Sequence, residues 1–309
     1  MFSLLNLLIL MLCALLGIAF FTLMERKLLS LSQNRKGPNK TAITGILQPV
    51  SDAMKLITKE INLNQKSNFS MFMISPCLNL TCSLVLWLIF PWLFEFNVMK
   101  MSILFLMSCM TMNMISLMAM SWSSNSNYAF IGLMRTISQM VSYEINLILI
   151  LLTIINLTSQ MSFSTTGHVQ KYIPMGVMLL PLLILWVMVI LAETNRTPFD
   201  FSEGESELIS GFNIEYSSKS FVFLFLSEYS SILVMSIITT LTFSGASMAL
   251  PVFYLAYLMM CFFFIWTRAT LPRFRYDKLM KLNWTQMLPI NTYILMWSFA
   301  FKMYCAMKS

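Results

Sequence analysis

Residues 174–192 read PMGVMLLPLLILWVMVILA, a run without a single charged side chain. A helix needs about 20 mostly apolar residues to cross the hydrocarbon core of a bilayer. Comparable apolar runs fall at about 2–24, 71–94, 101–120, 137–157, 174–192, 221–243, 250–267 and 285–306. The sequence therefore predicts a chain that crosses a membrane eight times.

The composition agrees with this prediction. Hydrophobic residues make up 58% of the 309 residues and charged residues 11%, and the mean hydropathy is +0.73. These values exclude a soluble globular domain. A membrane β-barrel would need short segments of alternating polarity, whereas these runs are continuously apolar. We therefore expect an all-α membrane protein, a polytopic bundle of eight transmembrane helices that forms a single domain over residues 1–309.

The charged residues indicate how the chain is oriented. Sixteen of the 20 Lys and Arg residues lie in the segments 25–70, 121–136, 193–220 and 268–284, which an eight-span chain places on one side of the membrane. Basic residues collect on the side from which a membrane protein inserts. The net charge of +7 is therefore explained by topology rather than by nucleic-acid binding.

The first long loop contains an amphipathic stretch at 46–60. Its apolar residues Val50, Ala53, Met54 and Ile57 follow the i, i+3, i+4, i+7 spacing of a helix with one apolar face. Such a helix is predicted to lie along the membrane surface. It can be an interfacial anchor or the wall of a ligand cavity, and the sequence leaves both interpretations open.

Acidic residues concentrate between two apolar runs. The segment 193–216 holds six of the 13 carboxylates. Pro198 predicts that the preceding span ends before Thr197, and Asp200 or Ser202 can cap a short helix over 203–209. A carboxylate near hydrocarbon is costly to keep charged, which favours proton handling. The alternative is a static network in which the acids are neutralised by arginines, namely Arg196, Arg268, Arg273 and Arg275.

Two further carboxylates, together with Glu193 from the acidic segment, extend this chemistry into the predicted spans. Glu144 lies inside the fourth span, Glu193 follows the fifth, and Glu228 lies inside the sixth. Ionisable side chains within membrane segments are functional candidates. Tyr143 and Tyr229 are adjacent to two of them and can donate hydrogen bonds. Together with the acidic loop, these residues are predicted to form a polar path from the basic face toward the middle of the membrane.

Metal and nucleotide chemistry are not indicated within the chain. The six cysteines show no CxxC spacing, His168 is the single histidine, and neither GxxxxGK[ST] nor GxGxxG occurs. Paired histidine ligands for a membrane haem are therefore excluded. We expect no metal site, no cofactor held covalently or by ligation, and no catalytic residue in this chain itself.

Several motifs resemble one family over essentially the whole chain. They are Glu25-Arg26-Lys27 and the segments 35–39, 48–56, 192–200, 203–208 and 268–277. Together they closely resemble the chain 1 family of NADH–ubiquinone oxidoreductase, the mitochondrially encoded core membrane subunit of respiratory complex I. The resemblance implies a proton-pumping enzyme complex of the mitochondrial inner membrane, with the basic loops in the matrix and both termini in the intermembrane space.

The resemblance also implies roles for particular residues. The residues expected to line a ubiquinone channel are Arg26, Arg35, Leu56, Arg268 and Arg273. Those expected to couple quinone reduction to proton translocation are Glu144, Glu193, Arg196, Asp200, Glu203, Glu205, Glu207 and Glu228. Ubiquinone would be the substrate, while NADH, FMN and iron–sulfur clusters would belong to partner subunits. The implied partners are other membrane-arm subunits, the quinone-module subunits of the peripheral arm, and membrane lipids.

Two other functions remain compatible with the residues alone. In a proton- or cation-coupled secondary transporter the same acids would bind the coupling ion, although such transporters commonly have repeated halves. No convincing repeat relates 1–155 to 156–309. In a passive scaffold the basic loops would only anchor a soluble arm. Purification distinguishes these functions, because a transporter is stable alone and a redox-complex subunit is found with redox partners.

Overall fold

A computed structural model describes residues 2–60, 67–90, 100–163, 166–167, 170, 173–201, 215–245 and 251–308. Within these ranges the regular structure is entirely helical. The elements are α1 (Phe2–Ser32), a 3₁₀ turn (Ile43–Gly45), α2 (Gln48–Thr58), α3 (Phe69–Val85) continued by a 3₁₀ turn (Leu86–Ile89), α4 (Ser102–Ser124), α5 (Asn127–Thr158), α6 (Met175–Met178), α7 (Leu180–Glu193), α8 (Ser218–Phe243), α9 (Pro251–Thr270), α10 (Tyr276–Leu282), a π turn (Asn283–Met287) and α11 (Leu288–Lys308).

Six helical segments in the described ranges are long and apolar enough to cross a membrane. They are Leu5–Ser32, Phe69–Ile89, Ser102–Ser124, Asn127–Thr158, Ser218–Phe243 and Pro251–Thr270. Helix α7 is apolar but shorter. The structure is therefore that of a helical membrane protein.

The apolar run 174–192 is divided into two helices. Leu179, between α6 and α7, has the non-helical angles φ −122° and ψ 54°. Pro181 lies in the first turn of α7, where its missing N–H costs no hydrogen bond because the first turn leaves its N–H groups unpaired. The division leaves α7 with 14 residues, a length of about 21 Å.

Two helices extend well beyond the predicted spans. α1 continues to Ser32 and so includes Glu25 and Arg26, and α5 begins at Asn127. The 32 residues of α5 make a rod of about 48 Å, longer than the ~30 Å hydrocarbon core. These extensions place charged residues, among them Glu25, Arg26 and Arg135, on the same continuous helices as the apolar runs.

Buried polar side chains join the helices. Asn79 of α3 donates to Ser227 Oγ of α8 at 2.6 Å and accepts from Ser116 of α4 at 2.8 Å. Asn146 of α5 bonds both Asn283 and Asn291. Helices in a membrane are commonly held together by such bonds, because lipid gives little hydrophobic drive for their association.

Most buried apolar side chains form one continuous core. A second, small cluster is separate from it and comprises Phe72, Met120, Tyr216 and Leu224. We call it the Tyr216 cluster. It joins α3, α4 and the start of α8.

Candidate functional site

A buried carboxylate lies at the centre of the candidate site. Glu25 of α1 is only 4% exposed. Its Oε1 atom is 3.2 Å from Nη1 of Arg196 and also accepts a hydrogen bond from Nη1 of Arg268. With Tyr229 of α8, which lies against Arg196, these residues form what we call the Glu25 cluster.

The backbone at the end of α7 fixes the position of Arg196. Asn195 adopts the left-handed conformation with φ 49°, which asparagine tolerates better than most residues. The N–H of Arg196 donates to Leu191 O at 3.1 Å, and that of Asn195 donates to Ala192 O at 3.3 Å. This is the Schellman arrangement that ends many helices. It turns the chain sharply, ahead of Thr197 as the position of Pro198 predicts.

The surroundings of Arg196 stabilise its charge. Its guanidinium carbon lies 4.6 Å from the centre of the Tyr229 ring, a cation–π distance. Burial alone would lower the pKa of Arg196, but the nearby carboxylate of Glu25, with Tyr229 and Glu228, raises it above its usual value. Arg196 is therefore a permanent cation that interacts with acids on both α1 and α8.

The segment that follows α7 is held in place on both sides. Gln139 of α5 donates its two side-chain N–H groups to Ala192 O at 2.8 Å and Phe199 O at 3.0 Å. Phe199 is fully buried, and Pro198 O accepts the N–H of Phe274 at 2.9 Å. The start of the acidic loop is thus tied to α5 and to the chain after α9.

Two of the predicted coupling acids have different surroundings. Asp200 is paired with Arg273 at 3.6 Å, as the static-network interpretation expects for this residue. Glu193 is 5% exposed, and its Oε2 atom has no hydrogen-bond partner among the described residues. Glu144, half-buried on α5, lies close enough to interact electrostatically with Glu193. The static network therefore accounts for Asp200 and does not account for Glu193.

Polar contacts connect α1 to α2 and to the loop between them. Arg26 of α1 is paired with Asp52 of α2 at 2.5 Å, and Gln48 donates to the other oxygen of Asp52 at 2.9 Å. Lys27 donates to Thr44 O at 2.7 Å. At Gly45, where φ is +83°, a Cβ atom would lie 2.1 Å from Pro38 O, so only glycine fits.

Helix α2 has an exposed apolar face. Val50 is 57% exposed, Met54 58% and Ile57 47%. All three belong to the amphipathic pattern found in the sequence. The face is available for lipid, for an isoprenoid chain or for a partner.

Replacing Asp52 with Ala is expected to loosen α2 slightly. The Arg26–Asp52 pair is half exposed, with side-chain exposures of 53% and 32%, and exposed pairs contribute about 0–1 kcal/mol. Hydrogen–deuterium exchange in the assembled complex should be faster for residues 48–58 and unchanged in α8. Lys55→Ala, at an exposed position on the same helix, is the matched control. Equal exchange in the two variants would show that the pair does not hold α2.

The structure brings together only part of the predicted residue sets. Arg268 and Arg196 meet at Glu25, Arg273 meets Asp200, and Arg26 meets Asp52. Arg35 is exposed beyond the end of α1, and Leu56 is half-buried on α2. The predicted residues that lie outside the described ranges are Ser202, Glu203, Glu205, Glu207, the 203–209 helix and His168.

Sequence reasoning missed three contributors to the site. Glu25, Asp52 and Gln139 were assigned no role, yet they hold Arg196, Arg26 and the end of α7. Glu25 did have a signal, because it is the first charge after an apolar run of more than twenty residues. No three His, Cys, Asp or Glu side chains converge as metal ligands in the part of the chain that the structure describes.

Comparison with known proteins gives one consistent result. A family model described as NADH dehydrogenase matches residues 5–299. The chain is 47% identical over 289 residues to NADH-ubiquinone oxidoreductase chain 1 of Aedes aegypti, covering 94% of this chain and 92% of that one. It is 44% identical to the protein of the same name from Apis mellifera ligustica, covering 98% of each chain. The chain 1 protein of Hylobates lar is 40% identical over 299 residues, with 94% of each chain covered.

Proposed function

Because the chain belongs to the NADH dehydrogenase family, as a relative of NADH–ubiquinone oxidoreductase chain 1, we propose that it forms much of the ubiquinone channel of that enzyme and the acidic start of its proton-coupling path. It is a core membrane subunit of the enzyme complex and a multi-pass protein of the mitochondrial inner membrane. Ubiquinone is the substrate of the complex. In the proposal, NADH, FMN and the iron–sulfur clusters are held by partner subunits.

The proposed topology has eight spans, with α6–α7 and α11 added to the six long apolar segments. The basic loops then lie in the matrix, where they meet the peripheral-arm subunits, and both termini lie in the intermembrane space. The concentration of Lys and Arg in four loops supports this orientation. In this arrangement α2 lies along the matrix surface of the membrane.

The proposed channel lies beside α1, α2 and α9. The exposed apolar residues Val50, Met54 and Ile57 are suited to the isoprenoid tail of ubiquinone, with Leu56 on the same helix. Arg26, Arg35, Arg268 and Arg273 supply the positive charges of the channel. Ligand pockets combine apolar walls with a few placed polar groups in this way.

The Glu25 cluster is the observation that carries the proposal. It joins Arg268, from the predicted channel set, to Arg196, from the predicted coupling set, through a single carboxylate oxygen. Arg196 in turn interacts with Glu228 of α8. A change of charge in the channel would therefore alter the electrostatic potential at Arg196. Through Arg196 it would alter the electrostatic field at Glu228. Such a network provides a physical route from quinone reduction to the coupling acids.

The proposed path continues along the buried acids. Glu193 retains an unpartnered oxygen among the described residues and interacts with Glu144, so this pair can exchange a proton with water or with a neighbouring subunit. The proposed set is completed by Glu228, Asp200, Glu203, Glu205 and Glu207. Proton transfer among buried carboxylates is the expected use of such costly groups.

Replacing Glu203 or Glu205 with Gln tests the proposal on the acidic loop itself. We expect the assembled complex to reduce quinone more slowly or to move fewer protons per electron, because an amide neither gains nor releases a proton. The measurement is quinone reduction together with proton uptake in proteoliposomes. Glu60→Gln, at an exposed position after α2, is the matched control. Normal turnover and normal proton stoichiometry in both loop variants would contradict the proposal.

A further inference from the structure

We infer that Tyr216 is a positioning residue for proton coupling, which fixes the end of the acidic loop and the start of α8 against α3 and α4. The inference rests on the proposed function, because it concerns where the coupling acids of that function are held. The contacts that support it lie outside the Glu25 cluster and the Glu193–Glu144 pair.

The hydroxyl of Tyr216 is held by two helices. It donates to Met120 O of α4 at 2.9 Å and lies within hydrogen-bond distance of Ser123 Oγ at 3.3 Å and Ser75 Oγ at 3.5 Å. Burial raises the pKa of the Tyr216 phenol, and the hydrogen bonds with Ser123 and Ser75 only partly oppose this. The group is therefore a neutral donor throughout the physiological range.

The ring of Tyr216 is as well fixed as its hydroxyl. It stacks on Phe72 of α3 with ring centres 4.3 Å apart and planes within 5° of parallel. Tyr216 is 4% exposed and Phe72 1% exposed. Aromatic stacking adds directional contact to the area buried. The Tyr216 cluster is thus a small core of its own, separate from the main one.

The position of Tyr216 in the chain gives these contacts a functional meaning. It directly follows Glu215 and precedes α8, which carries Glu228 and Tyr229. At the other end of the acidic loop, Gln139 of α5 holds Phe199. The two ends of the loop are therefore attached to different helices. A shift of α3 and α4 relative to α5 would move Tyr216 relative to Phe199.

Helix α3 also holds α8 next to its coupling acid. Asn79 donates to Ser227, the residue before Glu228. Tyr216, 11 residues before Ser227, packs on Phe72 of the same helix, so α3 fixes α8 at both its start and its middle. The placement of Glu228 relative to Arg196 therefore depends on α3, although α3 itself has no carboxylate within Phe69–Val85.

The test is Tyr216→Phe in the assembled complex, which keeps the stacked ring and removes the hydroxyl. We expect at least about a twofold fall in protons moved per electron, because loss of one ordinary hydrogen bond shifts a two-state population about fivefold. Assembly and quinone reduction should be largely retained. Tyr293→Phe is the matched control, since Tyr293 of α11 is 73% exposed. Should Tyr216→Phe fail to assemble, Ser75→Ala and Ser123→Ala remove single partners of the hydroxyl and should lower the same ratio.

The outcomes separate this inference from the proposed function. A merely structural Tyr216 would lower the amount or thermal stability of the complex and leave the proton-to-electron ratio normal, which would overturn the inference. Glu193→Gln is measured in parallel. If Glu193→Gln lowers the ratio and Tyr216→Phe does not, only the inference fails. If Tyr216→Phe lowers the ratio and Glu193→Gln does not, the inference stands and the role proposed for Glu193 fails.

Discussion

Replacing Glu25 with Gln is expected to cause the largest loss of stability of any single change in the site. The substitution keeps the shape of the side chain and removes the negative charge of Glu25, which contacts both Arg196 and Arg268. Removing one partner of a buried ion pair leaves the other charge uncompensated and costs about 3–5 kcal/mol. Because the Arg268 side chain is 37% exposed, solvent screens part of the charge, and the lower end of that range applies. The measurements are the amount of assembled complex, its thermal stability and its quinone reduction.

A second substitution shows whether charge imbalance is the cause. Adding Arg268→Gln to Glu25→Gln removes one uncompensated cation, so the double variant should recover part of the stability lost in the single variant. Asp277→Asn provides the control, because Asp277 forms a surface pair with Arg275 in which both side chains are more than 70% exposed. Exposed pairs of this kind contribute little. If Glu25→Gln behaved like Asp277→Asn, the cluster would have no structural role.

Replacing Glu193 with Gln is expected to have the largest effect on coupling. Glu193 is buried at the end of α7, and one of its oxygens has no partner in the described ranges. An amide fills the same space but cannot transfer a proton. Removing a side chain that transfers protons lowers rates by about 10²–10⁴-fold, and we expect coupled turnover to fall by about the lower of these factors. The measurement is the rate of proton translocation in proteoliposomes, recorded together with the rate of quinone reduction.

Glu193→Asp distinguishes proton transfer from packing. The shorter side chain keeps a carboxyl group but leaves a gap at the buried site. Proton transfer therefore predicts that Glu193→Asp retains more pumping than Glu193→Gln, whereas a packing role predicts the reverse. Full pumping by Glu193→Gln would exclude Glu193 from the path.

The sequence predicted those features that depend on local pattern. Hydrophobic runs gave the helical membrane class, the amphipathic spacing at 46–60 indicated a helix where α2 forms, and Pro198 indicated that α7 ends before Thr197. Each of these follows from residues that are close in the chain. The Schellman turn at Asn195 was not predicted, although it has a local signal, since asparagine commonly follows the end of a helix.

The features that the sequence did not predict depend on distant contacts. Glu25 is separated from Arg196 by 171 positions and from Arg268 by 243, so no spacing rule indicates that they meet. The break at Leu179 was also missed, because an apolar run does not indicate where a helix is interrupted inside it. Helix α5 begins at Asn127, ten residues before the predicted span, because the polar residues at its start are ones that helices tolerate.

Helix α1 is continuous from Phe2 to Ser32, and this has a mechanical consequence. Cys13 lies near the centre of the apolar part of α1, and Glu25 lies about 18 Å farther along the helix axis. A rigid tilt of about 5° would therefore displace the Glu25 carboxylate by about 1.5 Å, enough to separate an ion pair. Membrane helices tilt to match the thickness of the lipid around them. A change in the thickness or tension of the surrounding lipid would thus move the charged residues near the C-terminal end of α1.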